Sequence, residues 1–282
     1  MALVNPIGMI RAAQQKGVAV AAFNIHNMET MQAVVAAAAA SGAPVMLQGT
    51  PGTLRSCGVK TLVAMATAMA EDCPVDLALH ADHCGDRELL LECIRCGFTS
   101  VMVDGAHLPY EQNVAFVREI AAIARDRNVC VEGEIGRIGG VEDELTVDAR
   151  QALLTVPEEA AAYADAAGVD ILAIAIGTAH GEYHGKPLLD FDRLADINRR
   201  VSLPLVLHGA SGVDDADIRR AIGLGICKVN IATELKIPFT RALRDFFAAD
   251  ARENDPRKFF APAKAAVQQV AQGKIRLCAM EE

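Results

Sequence analysis

Five of the seven histidines in this 282-residue chain, His80, His83, His180, His184 and His208, stand at or just beyond the end of a short apolar run. In His80-Ala81-Asp82-His83 a carboxylate sits directly beside one of them. Three neutral imidazoles from distant segments, with one coordination position left open, form the pattern of a catalytic zinc site. His83, His180 and His208 are the three that fit it. On position alone the alternative stays open that each is a histidine satisfied by hydrogen bonds, and His80 and His184 are assigned to that structural role. Asp82 can orient a metal ligand, move a proton as general acid and base, or close a strand-end salt bridge. Asp104 and Glu134, also at the ends of apolar runs, are candidates for orienting a ligand, for an alternative metal position, or for a structural ion pair.

Two later segments suit an anion. Gly209-Ala210-Ser211-Gly212 is small enough for backbone amides to approach a phosphate closely, with the serine hydroxyl as a further donor. Asn230-Ile231-Ala232-Thr233 opens a helical pattern, so its free N–H groups can face the same anion. A metal beside a phosphate grip suits a phosphorylated carbonyl compound, and the residues by themselves leave aldol cleavage, isomerisation and metal-assisted hydrolysis open.

The elements that must position these residues alternate in a regular rhythm. Apolar β-rich runs cover Val18–Phe23, Pro44–Gln48, Val75–His80, Ser100–Asp104, Val129–Glu134, Asp170–Ile176, Leu205–His208 and Cys227–Asn230. Helical patterns follow each, at Met28–Ser41, Lys60–Glu71, Arg87–Arg95, Glu111–Arg125, Pro157–Ala167, Asp190–Arg200, Asp214–Ile222 and Thr233–Ala249, with a last one at Pro262–Gln272. Near-continuous Val/Ile/Leu runs belong to parallel strands covered on both faces. Eight βα units without a Gly-x-Gly-x-x-Gly after the first strand predict an α/β fold. The expectation is one (βα)8 TIM barrel over residues 1–282, a single domain with an extra C-terminal helix, since such barrels take about 250 residues. Active sites of that fold lie at the C-terminal strand ends, where the residues named above fall, and phosphate sites recur after strands seven and eight. The long segment Gly136–Leu153, with Gly139-Gly140 and the acidic run Glu142-Asp143-Glu144, is expected to be functional or mobile.

Composition narrows the partners. Hydrophobic residues make up 52 % and charged residues 22 %, ample for a buried core. The net charge of −9 without a basic run, and 4 % aromatic residues without Trp, argue against a nucleic-acid partner. The longest apolar stretch, Ala33–Ala40, falls short of the roughly 18 residues of a membrane span. With no secretion signal read at the N-terminus, a cytoplasmic protein with reduced thiols is expected despite eight cysteines, and Cys93-x-x-Cys96 is expected to pack in a helix.

At these residues the chain resembles the class II (metal-dependent) ketose-bisphosphate aldolases. The resemblance rests on His80–His83, Gly97–Gly105, Val131–Gly136 with Gly139–Asp143, Ile176–Gly181, Leu207–Gly212 and Lys228–Leu235, in order through most of the chain. The His-Gly-Ala-Ser-Gly and Asn-Ile-Ala-Thr-Glu-Leu-Lys segments are similar to the tagatose-1,6-bisphosphate branch. The resemblance implies one Zn2+ on His83, His180 and His208, and Asp82 as proton donor and acceptor. It implies dihydroxyacetone phosphate bound by Gly181, Gly209, Ala210, Ser211 and Asn230 to Thr233, and a monovalent cation (Na+ or K+) near Gly181, Gly209 and Ser211. Glu142 matches the position that exchanges a proton with the ketone fragment. A homodimer or homotetramer is implied, with an accessory subunit as an open question. The implied reaction is reversible cleavage of tagatose 1,6-bisphosphate to dihydroxyacetone phosphate and glyceraldehyde 3-phosphate. Cys84 and Ala106 depart from the usual Gly and Ser and bear on substrate preference. Arg257 is a candidate for the second phosphate, with a surface charge as its alternative.

Three other readings are weighed. Fructose 1,6-bisphosphate differs at one carbon. A Schiff-base enzyme using Lys228 leaves the three histidines unexplained. A non-catalytic barrel subunit of an aldolase complex should have lost ligands that are all present.

Overall fold

The computed structural model describes residues 2–142, 145–147, 153–181, 183 and 185–281, with the backbone alone described at 141, 142 and 145–147. In chain order the elements are α1 (Ile7–Lys16), β1 (Val20–Asn24), α2 (Met28–Ser41), β2 (Val45–Gly49), α3 (Pro51–Cys57), α4 (Val59–Asp72), β3 (Leu77–Cys84), α5 (Arg87–Cys96), β4 (Ser100–Val103), α6 (Tyr110–Arg125) and β5 (Cys130–Ile135). Then come β6 (Gly139–Glu142), β7 (Leu145–Val147), α7 (Pro157–Ala167), β8 (Ile171–Ile174), β9 (Ala179–His180), α8 (Phe191–Arg200), β10 (Leu205–Leu207), α9 (Asp215–Gly223), β11 (Ile226–Ile231), α10 (Thr233–Ala249) and α11 (Pro256–Cys278).

Among the described residues, eight parallel strands close into a barrel in the order β1-β11-β10-β8-β5-β4-β3-β2, as the apolar rhythm predicts. Alternation along each strand splits the core in two. Outward residues such as Phe23, Leu47, Leu79, Val101 and Val131 pack beneath the helices. Inward residues such as Ala22, Met46, Ala78, Met102 and Val206 fill the lower barrel, whose floor is closed by Ile10 and Ala13 of α1. Above them the interior turns polar, with Asn24, Gln48, His80, Asp82, Glu132, His208 and Lys228 all buried.

Caps set several helices at the strand ends. Asn27 and Thr30 form a reciprocal capping box on α2, Asp86 accepts the Glu88 and Leu89 N–H groups on α5, and Asp190 accepts that of Arg193 on α8.

Some elements differ from expectation. α1 and α3 are additional; Thr50-Pro51-Gly52 has turn composition, yet Pro51 occupies the first helical turn, where its missing N–H costs nothing. α11 begins at Pro256 behind the cap Asp255, not at Pro262, which lies inside it. α11 packs on α2, α9 and β1 and so covers the seam between the last and first strands. α10, with Leu235 its one buried residue among those described, leaves the barrel and pairs with α11 as a hairpin. The expected long segment carries β6 and β7, and β6 also pairs parallel with β9. Cys93 is buried and Cys96 half-buried on α5, and all eight cysteines are free. No helix among the described residues is long and apolar enough to cross a membrane.

Gly133 lets α7 close onto the strand that carries Glu132 and Glu134. A Cβ there would meet the Tyr163 hydroxyl at 2.8 Å and Val169 Cγ1 at 2.9 Å. Gly133→Ala is therefore expected to destabilise the chain by about 1–3 kcal/mol through overpacking, measured by urea or thermal unfolding.

Candidate metal centre and active site

Asp82 and His83 are neighbours on β3, and neighbours on a regular strand point to opposite faces. Here the ladder slips. Ala81 lies opposite Val101 while Cys84 lies opposite Val103, so three steps on β3 match two on β4. This is a β-bulge, and His83 adopts φ +46° within it, a left-handed conformation that a residue with a Cβ rarely takes. The extra residue turns both side chains toward the mouth of the barrel.

There His83 meets the histidines of two other strand ends. Its ring centroid lies 4.7 Å from that of His180 and 4.6 Å from that of His208. One nitrogen of each of the three falls within 4.8 Å of the others, and His83 Nε2 lies 2.8 Å from His208 Nδ1. Burial, then the neighbouring imidazoles, pushes His180 and His208 well below the usual histidine range. They are neutral at pH 7, as a metal ligand must be. The donor set therefore fits one divalent ion. Asp104 Oδ2 lies 3.0 Å from His83 Nδ1 and Glu134 Oε2 lies 3.8 Å from it. His83, Asp104 and Glu134 form a second cluster with ligand spacing. Burial, followed by the Asp104 charge, raises the Glu134 carboxyl to about 8. Burial alone would raise Asp104 as well, but the hydrogen bond and charge of His83 outweigh it and hold that carboxyl low.

Asp82 is gripped by amides. Its Oδ2 accepts from Asn24 Nδ2 at 2.8 Å and Gln48 Nε2 at 3.2 Å, and its Oδ1 from Asn230 Nδ2 at 3.2 Å. Gln48 Nε2 also donates to Asn24 Oδ1 at 2.7 Å, tying β1 to β2. Asn24 and Gln48 were missed by sequence reasoning; the available signal was a polar residue ending an otherwise apolar inward run. Beneath the metal cluster, Glu132 accepts from His208 Nε2 at 2.7 Å and from Lys228 Nζ at 2.8 Å. Lys228 is fully buried and held by this carboxylate, which removes it as an accessible amine nucleophile. His80 lies outside the three-histidine cluster, with its Nδ1 2.7 Å from Ser100 Oγ and its Nε2 3.7 Å from Glu132 Oε2.

The anion-binding segments also converge. Gly181, Gly209, Ser211, Asn230, Ala232 and Thr233 line one small crevice beside His180, joined by Lys236, a cation that sequence reasoning missed. Ser211 Oγ accepts the N–H groups of Ala232 and Glu234 at 3.2 and 3.4 Å, holding one loop against the start of α10. Gly209 adopts φ +63°, and a Cβ there would lie 2.5 Å from the Ala179 carbonyl oxygen. Close apposition of these two loops thus requires glycine. Tyr183 joins them further: its hydroxyl accepts from Ala179 N–H at 2.7 Å and donates to the Gly209 carbonyl at 2.8 Å. Ala210 and Ile231 are buried behind the crevice.

Glu142 ends β6, whose Gly140 pairs with His180; its side chain and His184 lie outside the described residues. Arg257 is not brought to this site. It lies beyond the 17 residues of α10, about 25 Å of helix, with its side chain 90 % exposed and bound to Asp255 at 2.8 Å.

The family described as fructose-bisphosphate aldolase class-II matches residues 4–282. The chain is 47 % identical over 281 residues to the D-tagatose-1,6-bisphosphate aldolase subunit GatY of Klebsiella oxytoca, spanning 100 % of this chain and 99 % of that protein. Among solved structures, the YdjI aldolase from Escherichia coli K12 matches with a TM-score of 0.86 at 29 % identity, over 98 % of this chain and 96 % of that one. The fructose-bisphosphate aldolase of Campylobacter jejuni matches with a TM-score of 0.82 at 20 % identity, over 99 % and 96 %, which attests to the fold.

Substituting His83, His180 or His208 singly by alanine is expected to abolish stoichiometric metal uptake, read by elemental analysis after dialysis. His80→Gln is expected to leave it intact, because His80 contributes no nitrogen to the three-histidine cluster.

Proposed function

Because the chain belongs to the class II fructose-bisphosphate aldolase family, we propose that it reversibly cleaves D-tagatose 1,6-bisphosphate to dihydroxyacetone phosphate and D-glyceraldehyde 3-phosphate. The observation that carries this reading is the bulge on β3. It sets a proton-transfer carboxylate, Asp82, beside a three-histidine metal cluster, next to a crevice with the makings of a phosphate site. The identity to a relative named for tagatose bisphosphate favours that sugar over fructose 1,6-bisphosphate.

Gly181, Gly209, Ser211 and the amides from Asn230 to Thr233 hold the phosphate of the ketone half, and main-chain groups of the same loops suit a monovalent cation. A divalent metal, zinc in this reading, held by His83, His180 and His208, supplies Lewis acidity toward the ketose carbonyl. Asp82 takes the proton of the C4 hydroxyl as the C3–C4 bond breaks. The C4 oxygen becomes the aldehyde, and the bonding pair passes to C3 as an enediolate. Asn24, Gln48 and Asn230 keep the Asp82 carboxylate aimed during this transfer. Glu142 then delivers a proton to C3, completing dihydroxyacetone phosphate. No step needs an amine nucleophile, consistent with the buried pairing of Lys228.

A homodimer or homotetramer is part of the same proposal. Phe239, Phe246, Phe247, Phe259 and Phe260 pack on one another along the α10–α11 hairpin without being fully buried, which supports self-association there. The relative's name calls it a subunit, so full activity is to be compared with and without a partner chain.

Chelation is expected to abolish cleavage and added zinc to restore it, while borohydride with substrate leaves activity unchanged; full activity in metal-stripped protein would refute the reading. Asp82→Ala should lower kcat by about 10²–10⁴-fold with metal content unchanged. Side-by-side kcat/KM values on the two bisphosphates decide the sugar, with tagatose bisphosphate expected to be favoured.

A further inference from the structure

The pair Glu132–Lys228 lies below the metal cluster and takes no part in the steps above. Glu132, Lys228 and His208 are each 0 % exposed. Glu132 divides its two oxygens, with Oε1 2.7 Å from His208 Nε2 and Oε2 2.8 Å from Lys228 Nζ. The other nitrogen of His208, Nδ1, faces the cluster, 2.8 Å from His83 Nε2 and 3.1 Å from the amide nitrogen of Asn230, a donor that suits a lone pair at Nδ1. A neutral imidazole carries one N–H and one lone pair. An acceptor carboxylate at Nε2 fixes the proton there and leaves the Nδ1 lone pair pointing at the metal position.

We propose that the Glu132–Lys228 pair is the positioning device of His208: it selects the Nε2–H tautomer, holds the ring angle and so sets the affinity of the centre for its metal. This inference rests on the metal-site reading above.

Stability does not account for the pair. An ion pair removed from water loses much of its Coulombic gain to desolvation, and an apolar pair of similar volume is commonly as stable or more so. A barrel interior already lined below by Met46, Met102 and Val206 could have continued apolar. A carboxylate behind a liganding imidazole has a use of its own, because such contacts orient the ring and raise its donor strength. Lys228 fixes the second oxygen of Glu132, so the carboxylate cannot swing away from His208. The arrangement also matches that of His83, whose Nδ1 faces Asp104 at 3.0 Å while its Nε2 faces the cluster. The other group near Glu132 is His80, with Nε2 3.7 Å from Oε2, longer than a hydrogen bond.

The test titrates metal-free protein with zinc against a competing chelator and compares wild type with two double variants, E132Q/K228M and E132L/K228M. Both remove the buried charge on each side, so neither leaves an unpaired ion. Glutamine keeps an acceptor for His208 Nε2, and leucine does not. Zinc affinity is expected to fall about 10–100-fold in E132L/K228M, with E132Q/K228M recovering most of the loss and with KM for the sugar unchanged at saturating zinc. Equal affinities in the two variants overturn the proposal. A wild-type chain that takes up no zinc overturns this inference and the metal-site reading together, whereas zinc-binding wild type with equal variants overturns this one alone. Should the leucine variant fail to fold, the imidazole 15N spectrum of metal-free wild type decides, with His208 assigned by its loss in H208N. Protonation at Nε2 is expected, and protonation at Nδ1 overturns the proposal.

Discussion

A β-strand cannot send two consecutive side chains into the same space, and the chemistry proposed for this barrel needs it to. The bulge on β3 resolves the conflict: one extra residue against β4, with His83 held at positive φ, turns Asp82 and His83 to one mouth. The other site groups are arranged around that pair. Asn24 and Gln48 reach Asp82 from β1 and β2, and Asn230 from β11. His180 and His208 close on His83 from the far side. Strain at a functional residue persists only where the surroundings over-determine it, and here five strand ends hold the bulge in place.

The barrel itself was legible because its strands are buried on both faces and announce themselves as apolar runs. The three-histidine cluster was legible because histidines end those runs. Other features depend on register and on what faces inward. A second irregularity, between β10 and β11, skips one residue near Cys227. Lys228 and Asn230 both face inward, and that phase is invisible in sequence. Lys228 therefore presented itself as a candidate amine nucleophile, although its partner Glu132 stands 96 positions away. Asn24 and Gln48 went unseen because a polar residue at the end of an apolar run also suits an ordinary cap. The bulge had no marker at all, since its strained position holds histidine where a glycine would have been the usual signal.

The polar upper half of the interior is tolerable because its groups satisfy one another. Amide meets carboxylate around Asp82, and imidazole and ammonium meet carboxylate around Glu132. Below it, methionine, alanine and valine close the barrel onto α1.

The short pairing of β6 with β9 has a mechanical consequence. Gly139 and Gly140 are joined by backbone bonds to Ala179 and His180, two residues before the end of β6 at Glu142. The segment bearing Glu142 is thus anchored to the strand that carries His180. Any swing of Glu142 must pivot beyond Gly140 or else unzip the backbone of His180. Beyond Gly140 the chain runs on in β6, paired with β7 at Val141 with Thr146 and at Glu142 with Leu145, so a displacement of Glu142 carries this short hairpin with it and pulls on the backbone of His180.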